Sequence, residues 1–120
     1  MEPKRILDPK FPYTKSSDIY SLGVLMWEIS SGHPPFKDSM RNIDKATLAI
    51  AINKGTREVT TPGTPKDYGQ LYKRCWSQEP GQRPTIKEVL KEFSRMNEIK
   101  NKLTEGMYKN VNNRFFYLLF

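Results

Sequence analysis

Between Ile19 and Ile29 the chain is apolar almost without pause: Ile19, Tyr20, Leu22, Val24, Leu25, Met26, Trp27 and Ile29, broken only by Ser21, Gly23 and Glu28. A surface helix carries a single apolar stripe, so a helix apolar nearly all round is expected to be buried on most sides. Ser16 or Ser17 is the expected N-cap, with Asp18 in the first turn, where the helix dipole favours an acid. Gly32 ends this helix and His33-Pro34-Pro35-Phe36 follows as a stiff turn. In a chain this short the other helices need not suffice to cover it.

Three further helices are predicted. One runs from about Ile43 to Asn53 and stops at Gly55, with Ile43, Ala46, Thr47 and Ile50 as its apolar face. The next has Thr64 as cap, Pro65 at its first position and Asp67 in its first turn. Its Tyr68, Leu71, Tyr72, Cys75 and Trp76 fall at i, i+3, i+4, i+7 and i+8. The last begins at Thr85, with Glu88 completing a capping box, and continues its stripe through Ile86, Val89, Leu90, Phe93 and Met96 or Asn97. Residues 1–14 hold Pro3, Pro9 and Pro12, which exclude a continuous helix and predict an extended segment. Residues 56–64 and 77–84 read as loops. Periodicity fades beyond about Lys102, and residues 104–120 are expected to form a weakly ordered tail. Four helices and no strand make an all-α segment, with a domain over 1–97 and a tail over 98–120.

Composition changes this picture little. With 37% hydrophobic and 28% charged residues in 120, the chain reads as globular. The net charge of +7 invites a nucleic-acid or membrane-surface role. The excess is spread out, however: nine Lys/Arg against seven Asp/Glu in residues 1–60, and eleven against six in 61–120. No basic run is interleaved with aromatics, so a solvated basic surface is the preferred reading. The single Cys75 permits no internal disulfide and suits a reducing, cytoplasmic setting. The longest apolar run, Phe115 to Phe120, is far short of a membrane span.

The sequence carries no recognisable catalytic motif. There is no GxGxxG or GxxxxGKS/T phosphate cradle and no HExxH. One cysteine and one histidine are too few for a zinc site. His33 reads as a turn residue, Cys75 as core, and Glu88 and Glu92 as the polar face of a helix. No catalytic, ATP-binding or metal-ligating residue is assigned.

Three strings, in order, resemble the second half of a eukaryotic protein kinase domain of the tyrosine-kinase or tyrosine-kinase-like type. Ser17-Asp18-Ile19-Tyr20-Ser21-Leu22-Gly23-Val24 is similar to the Asp-x-Trp-Ser-x-Gly element, with Tyr20 at the Trp position. Gly32-His33-Pro34-Pro35-Phe36 is similar to the Gly-x-x-Pro-Phe that follows it. Cys75-Trp76 and Pro80-Gly81-Gln82-Arg83-Pro84-Thr85 resemble the Cys-Trp…Pro-x-x-Arg-Pro-Thr end of the domain.

The resemblance covers residues 1–97 and implies the helical C-terminal lobe, with the first long helix at its centre. It implies that Asp18 accepts backbone hydrogen bonds from the catalytic loop, as a structural support. It also implies that Arg83 pairs with the Glu of the Ala-Pro-Glu motif closing the activation segment. Here Pro3 falls on that motif's Pro and Lys4 on its Glu, leaving Glu2 as the carboxylate expected to reach Arg83. ATP and Mg²⁺ would serve the complete domain in phosphoryl transfer to Ser, Thr or Tyr, in a signalling role. Their motifs precede Ala-Pro-Glu, so this C-lobe fragment is expected to be inactive alone. Protein substrates or partners are implied, with residues 37–64 as a docking surface, and neither nucleic acid nor membrane. The alternative is a non-catalytic protein-interaction module. A basic membrane-surface or nucleic-acid binder, resting on charge and the Phe115–Phe120 tail, ranks last.

Overall fold

The computed structural model describes residues 2–37 and 44–107, and within them five α-helices and no strand. They are α1 (Pro3–Leu7), α2 (Lys15–Ser31), α3 (Lys45–Asn53), α4 (Lys66–Cys75) and α5 (Ile86–Met107), with a short 3-10 turn at Pro80–Gln82. The expected all-α segment is what the described residues form.

The first difference lies at the start. The prolines bound a short helix rather than forbidding one: Pro3 occupies its first turn, where a missing N–H is harmless. The Glu2 carboxylate caps it by accepting from the Lys4 N–H at 3.4 Å. At the far end Asp8, constrained by the following Pro9, is extended (φ −132°, ψ 93°).

Neither Ser16 nor Ser17 is the N-cap of α2. Thr14 takes that place, and Ser17, three residues inside, accepts from the Thr14 N–H at 3.1 Å. Ser16 is thereby free to donate to the Pro80 carbonyl at 2.8 Å. Gly32 ends the helix in the left-handed region (φ 80°), which only glycine enters without strain.

Helix α2 packs against α4, α4 against α5, and α1 against α3. The core joins Ile19, Tyr20, Met26 and Trp27 of α2 to Tyr68, Leu71, Tyr72, Cys75 and Trp76, and to Val89 and Met96 of α5. Fully burying each of these side chains stabilises the fold by about 1.5–3 kcal/mol. Closest approach of α2 and α4 occurs at Gly23, where a Cβ would lie 2.7 Å from the Cys75 Cβ and 2.9 Å from the Tyr72 carbonyl oxygen. Among the described residues no buried side-chain nitrogen or oxygen lacks a hydrogen-bond partner. Tyr68 donates to the Met26 carbonyl at 2.6 Å and the Trp27 indole to the Val59 carbonyl at 2.9 Å.

Helix α2 is not buried on all sides. Leu25 is 51% and Ile29 41% exposed, one turn apart on the flank that also carries Asp18 and Ser21. Helix α3 differs more. It is capped by Asp44, which accepts from the Thr47 N–H at 2.7 Å. Ala46, Thr47 and Ile50 are exposed, and the half-buried positions are Leu48, Ala49, Ala51, Ile52 and Asn53. The expected face therefore points outward, and Ile43 lies outside the described residues.

At α4 the cap is Pro65 rather than Thr64, whose hydroxyl donates to the Thr61 carbonyl at 2.7 Å. At α5 Thr85 accepts from the Glu88 N–H at 3.2 Å, but the Glu88 carboxylate accepts from the Thr85 hydroxyl. Ile86, Leu90 and Asn97 of its expected stripe are exposed, so the inward face is Val89, Phe93 and Met96. Helix α5 continues to Met107, past Lys102 and into the expected tail. The remainder of that tail, 108–120, lies outside the described residues.

Candidate functional site

The chemistry of the described residues concentrates where the first residues of the chain meet the connection between α4 and α5. Glu2 and Arg83 form a bidentate ion pair there. Arg83 Nη2 donates to Glu2 Oε1 at 2.9 Å, Nη1 donates to Oε2, and both side chains are wholly excluded from solvent. Three carbonyls complete the guanidinium's partners. Arg83 Nε donates to Ser77 at 2.9 Å, Nη1 to Ser16 at 3.0 Å and Nη2 to Gln78 at 3.5 Å. The same group lies 5.0 Å from the ring centre of Tyr20. One buried side chain thus ties together the start of α1, the first turn of α2 and the loop after α4.

Burial by itself pushes the Glu2 carboxyl up. The hydrogen bonds and charge of Arg83, with smaller help from Lys4, outweigh it and hold the pKa below the ordinary value of 4.5. Lys4 takes no part in facing Arg83. Its ammonium turns outward to Glu79 at 3.1 Å and lies 5.7 Å from the Phe11 ring centre.

Asp18 stands apart from this pair. It is exposed, and its carboxylate accepts from the Tyr13 hydroxyl, a bond that pushes the phenol pKa up. Asp18 borders an open cleft of about 760 Å³ between the N-terminal half of α2 and residues 80–87. The walls of that cleft are largely apolar, with Ile19, Leu22, Pro80, Pro84 and Ile86 among them. They do not fit Mg²⁺ and a nucleotide triphosphate, and no three His, Cys, Asp or Glu side chains converge as a metal site among the described residues. No described helix is long and apolar enough to cross a membrane.

Arg57 was not singled out by the sequence and holds a central place. Its guanidinium lies 5.2 Å from the Tyr20 ring centre, so this ring carries two cations. The only signal in the sequence is a cation just beyond the helix-ending Gly55, where basic side chains commonly satisfy terminal carbonyls.

A family model for protein tyrosine and serine/threonine kinases matches residues 1–93. The chain is 38% identical over 82 residues to a mitogen-activated protein kinase kinase kinase of Drosophila melanogaster, covering 68% of this chain and 7% of that protein. It is 37% identical over 84 residues to mitogen-activated protein kinase kinase kinase 11 of Homo sapiens, covering 68% and 9%. A probable LIM domain-containing serine/threonine-protein kinase of Dictyostelium discoideum is 29% identical over 86 residues, covering 72% and 13%. The chain therefore spans only a small part of the length of the relatives it matches.

Proposed function

Because this chain belongs to the protein tyrosine and serine/threonine kinase family, we propose that it is the C-terminal-lobe portion of a protein kinase domain, with residues 1–97 in the domain and 98–120 as its tail. The complete domain transfers the γ-phosphoryl group of ATP, with Mg²⁺, to a Ser, Thr or Tyr hydroxyl of a protein inside the cell. The Cys75-Trp76 and Arg83-Pro84-Thr85 strings favour the tyrosine-kinase-like branch.

The buried Glu2–Arg83 pair carries this reading. In it, Arg83 anchors the end of the activation segment through a carboxylate two positions before the motif's usual one, with Lys4 displaced to the surface. Asp18, exposed at the head of α2, is the acceptor that the catalytic loop of the complete domain engages. The nucleotide and metal groups belong to other parts of that domain, so the 120 residues by themselves transfer no phosphate.

An antibody against residues 85–102 tests this on the endogenous product. The expected band is more than twice 14.0 kDa. A single band near 14.0 kDa overturns it and favours a second reading, a non-catalytic interaction module. That reading draws on one observation: no residue of α3 is buried and Val59 is 82% exposed, leaving an open face within residues 37–64. It requires the 120-residue chain to unfold cooperatively as a monomer or a defined oligomer.

A further inference from the structure

Arg57 makes more connections than a loop cation needs. Its Nε donates to the Trp76 carbonyl at 2.9 Å, at the C-cap of α4, and its Nη1 to the Ile52 carbonyl at 2.9 Å, in the last turn of α3. Nη1 also donates to the Thr56 carbonyl at 2.8 Å. One guanidinium therefore serves the negative ends of two helices at once. Nη2 donates to Gln78 Oε1 at 3.0 Å, and the Gln78 side-chain amide donates in turn to the Asn53 carbonyl. The Gln78 backbone carbonyl accepts from Arg83. Two routes thus run from the end of α3 to the buried ion pair: through Gln78, and across the ring of Tyr20.

We propose that Arg57 is a positioning residue that couples the C-terminal end of α3 to the Glu2–Arg83 pair, through Tyr20 and Gln78. The coupling deepens the kinase reading, on which its functional consequence rests: the outward face of α3 and the anchored start of the chain move as one unit. Two like charges over one ring repel, so Arg57 and Arg83 remain together only while Glu2 and the ring of carbonyls hold them. Electrostatics agree. Burial draws the Arg57 pKa down and Tyr20 opposes it, while the charges of Arg83 and Glu2 both reach it with opposite sign. Loss of Arg57 removes the fork on Ile52 and Trp76 and the cation over Tyr20 together.

The test is hydrogen exchange by NMR on the full 120-residue chain, a readout independent of phosphoryl transfer. In Arg57→Met, exchange at the Arg83 Nε–H, whose acceptor is the Ser77 carbonyl, is expected to accelerate by about tenfold. The Val89 amide, which donates to Thr85 at 3.0 Å, is expected to keep its rate. Arg57→Lys keeps a cation over the ring without the fork and should restore part of the protection. Unchanged Arg83 exchange in Arg57→Met overturns the coupling, and so does equal acceleration at Arg83 and Val89, which marks general loosening. Should Arg57→Met not fold, Gln78→Ala severs one route and is expected to accelerate Arg83 alone; an unchanged rate there overturns the proposal. In a complete kinase containing these residues, Arg57→Met is expected to raise the KM for protein substrate several-fold and leave the KM for ATP unchanged. No transfer by the unaltered kinase defeats the kinase reading, while the exchange data still decide the coupling.

Discussion

The Glu2 carboxylate and the Arg83 guanidinium, 81 residues apart in sequence, meet as a fully buried bidentate pair. Lys4 is turned away to Glu79. Glu2 reaches this guanidinium from just before α1, where its carboxylate also caps the Lys4 N–H.

Removing one member of this pair strands the other's charge in a dry site. Arg83→Met is expected to destabilise the fold by about 3–5 kcal/mol, and Glu2→Met by a comparable amount. The double variant should cost less than the sum, since neither charge is then stranded. Urea denaturation of the three variants checks this; strict additivity would contradict a coupled pair.

Acid should weaken the fold through the same residue. The Glu2 pKa is lower folded than unfolded, so the unfolded chain binds more protons as pH falls. Its contribution is fully present above the ordinary value of 4.5 and is lost as pH drops through the depressed folded value. Glu2→Gln, which cannot titrate, is expected to show a shallower loss of stability between about pH 5 and pH 2. Denaturation midpoints across that range provide the measurement.

At Gly23 an added methyl would press on the Cys75 Cβ and on the backbone of Tyr72 and Trp76, none of which is a flexible tip. Gly23→Ala gains about 1 kcal/mol of helix propensity. Separating α2 from α4 is expected to outweigh that gain, since overpacking costs about 1–3 kcal/mol. A lower thermal midpoint is the outcome anticipated, and a higher one would show that the helices can part at little cost.

Cys75 is wholly buried, and burial pushes its thiol up to about 11, with only slight opposition from Arg74. The folded chain should therefore resist a thiol-specific disulfide reagent at pH 8, and react with it once denatured. Rapid labelling of the native chain would place the thiol elsewhere.

Leu25 and Ile29 present an apolar strip on an otherwise central helix. Changing both to Ser in the 120-residue chain is expected to alter stability by about 0.5 kcal/mol or less, as at other exposed positions. Self-association measured by sedimentation should fall. Undiminished association would assign it to another surface.

Much of this was legible in the residues alone. The i, i+3, i+4, i+7, i+8 stripe of α4 is buried at every position, because its amphipathic pattern leaves only one face to bury. The near-continuous apolar run of α2 foretold a central helix, and Gly32 foretold its end. The three motif strings led to the family. Local chemistry set caps and turns only to within a residue or two, since several Ser and Thr compete for each cap and packing chooses among them. Thr14 caps α2 while Ser16 bonds Pro80, 64 residues away.

What the sequence determined by itself is the four longer helices α2 to α5, though not α1, the central place of α2 and the kinase resemblance, all written in local periodicity and short strings. Tertiary structure alone decided which sides of those helices meet. The apolar side chains of α3 are too evenly spread for periodicity to choose a face, while the stripe of α5 is clear but wider than the surface it packs on, so Ile50, Ile86 and Leu90 point outward. The resemblance points to Glu2 as the partner of Arg83, and the structure adds the bidentate geometry and full burial; that Arg57 joins two helix ends over Tyr20 is decided by the structure alone. The physical reason is the same in each case. A charged group's partner is fixed by distance in space and by exclusion of water, and nothing local to Arg57 names Tyr20 or Trp76 as what it meets.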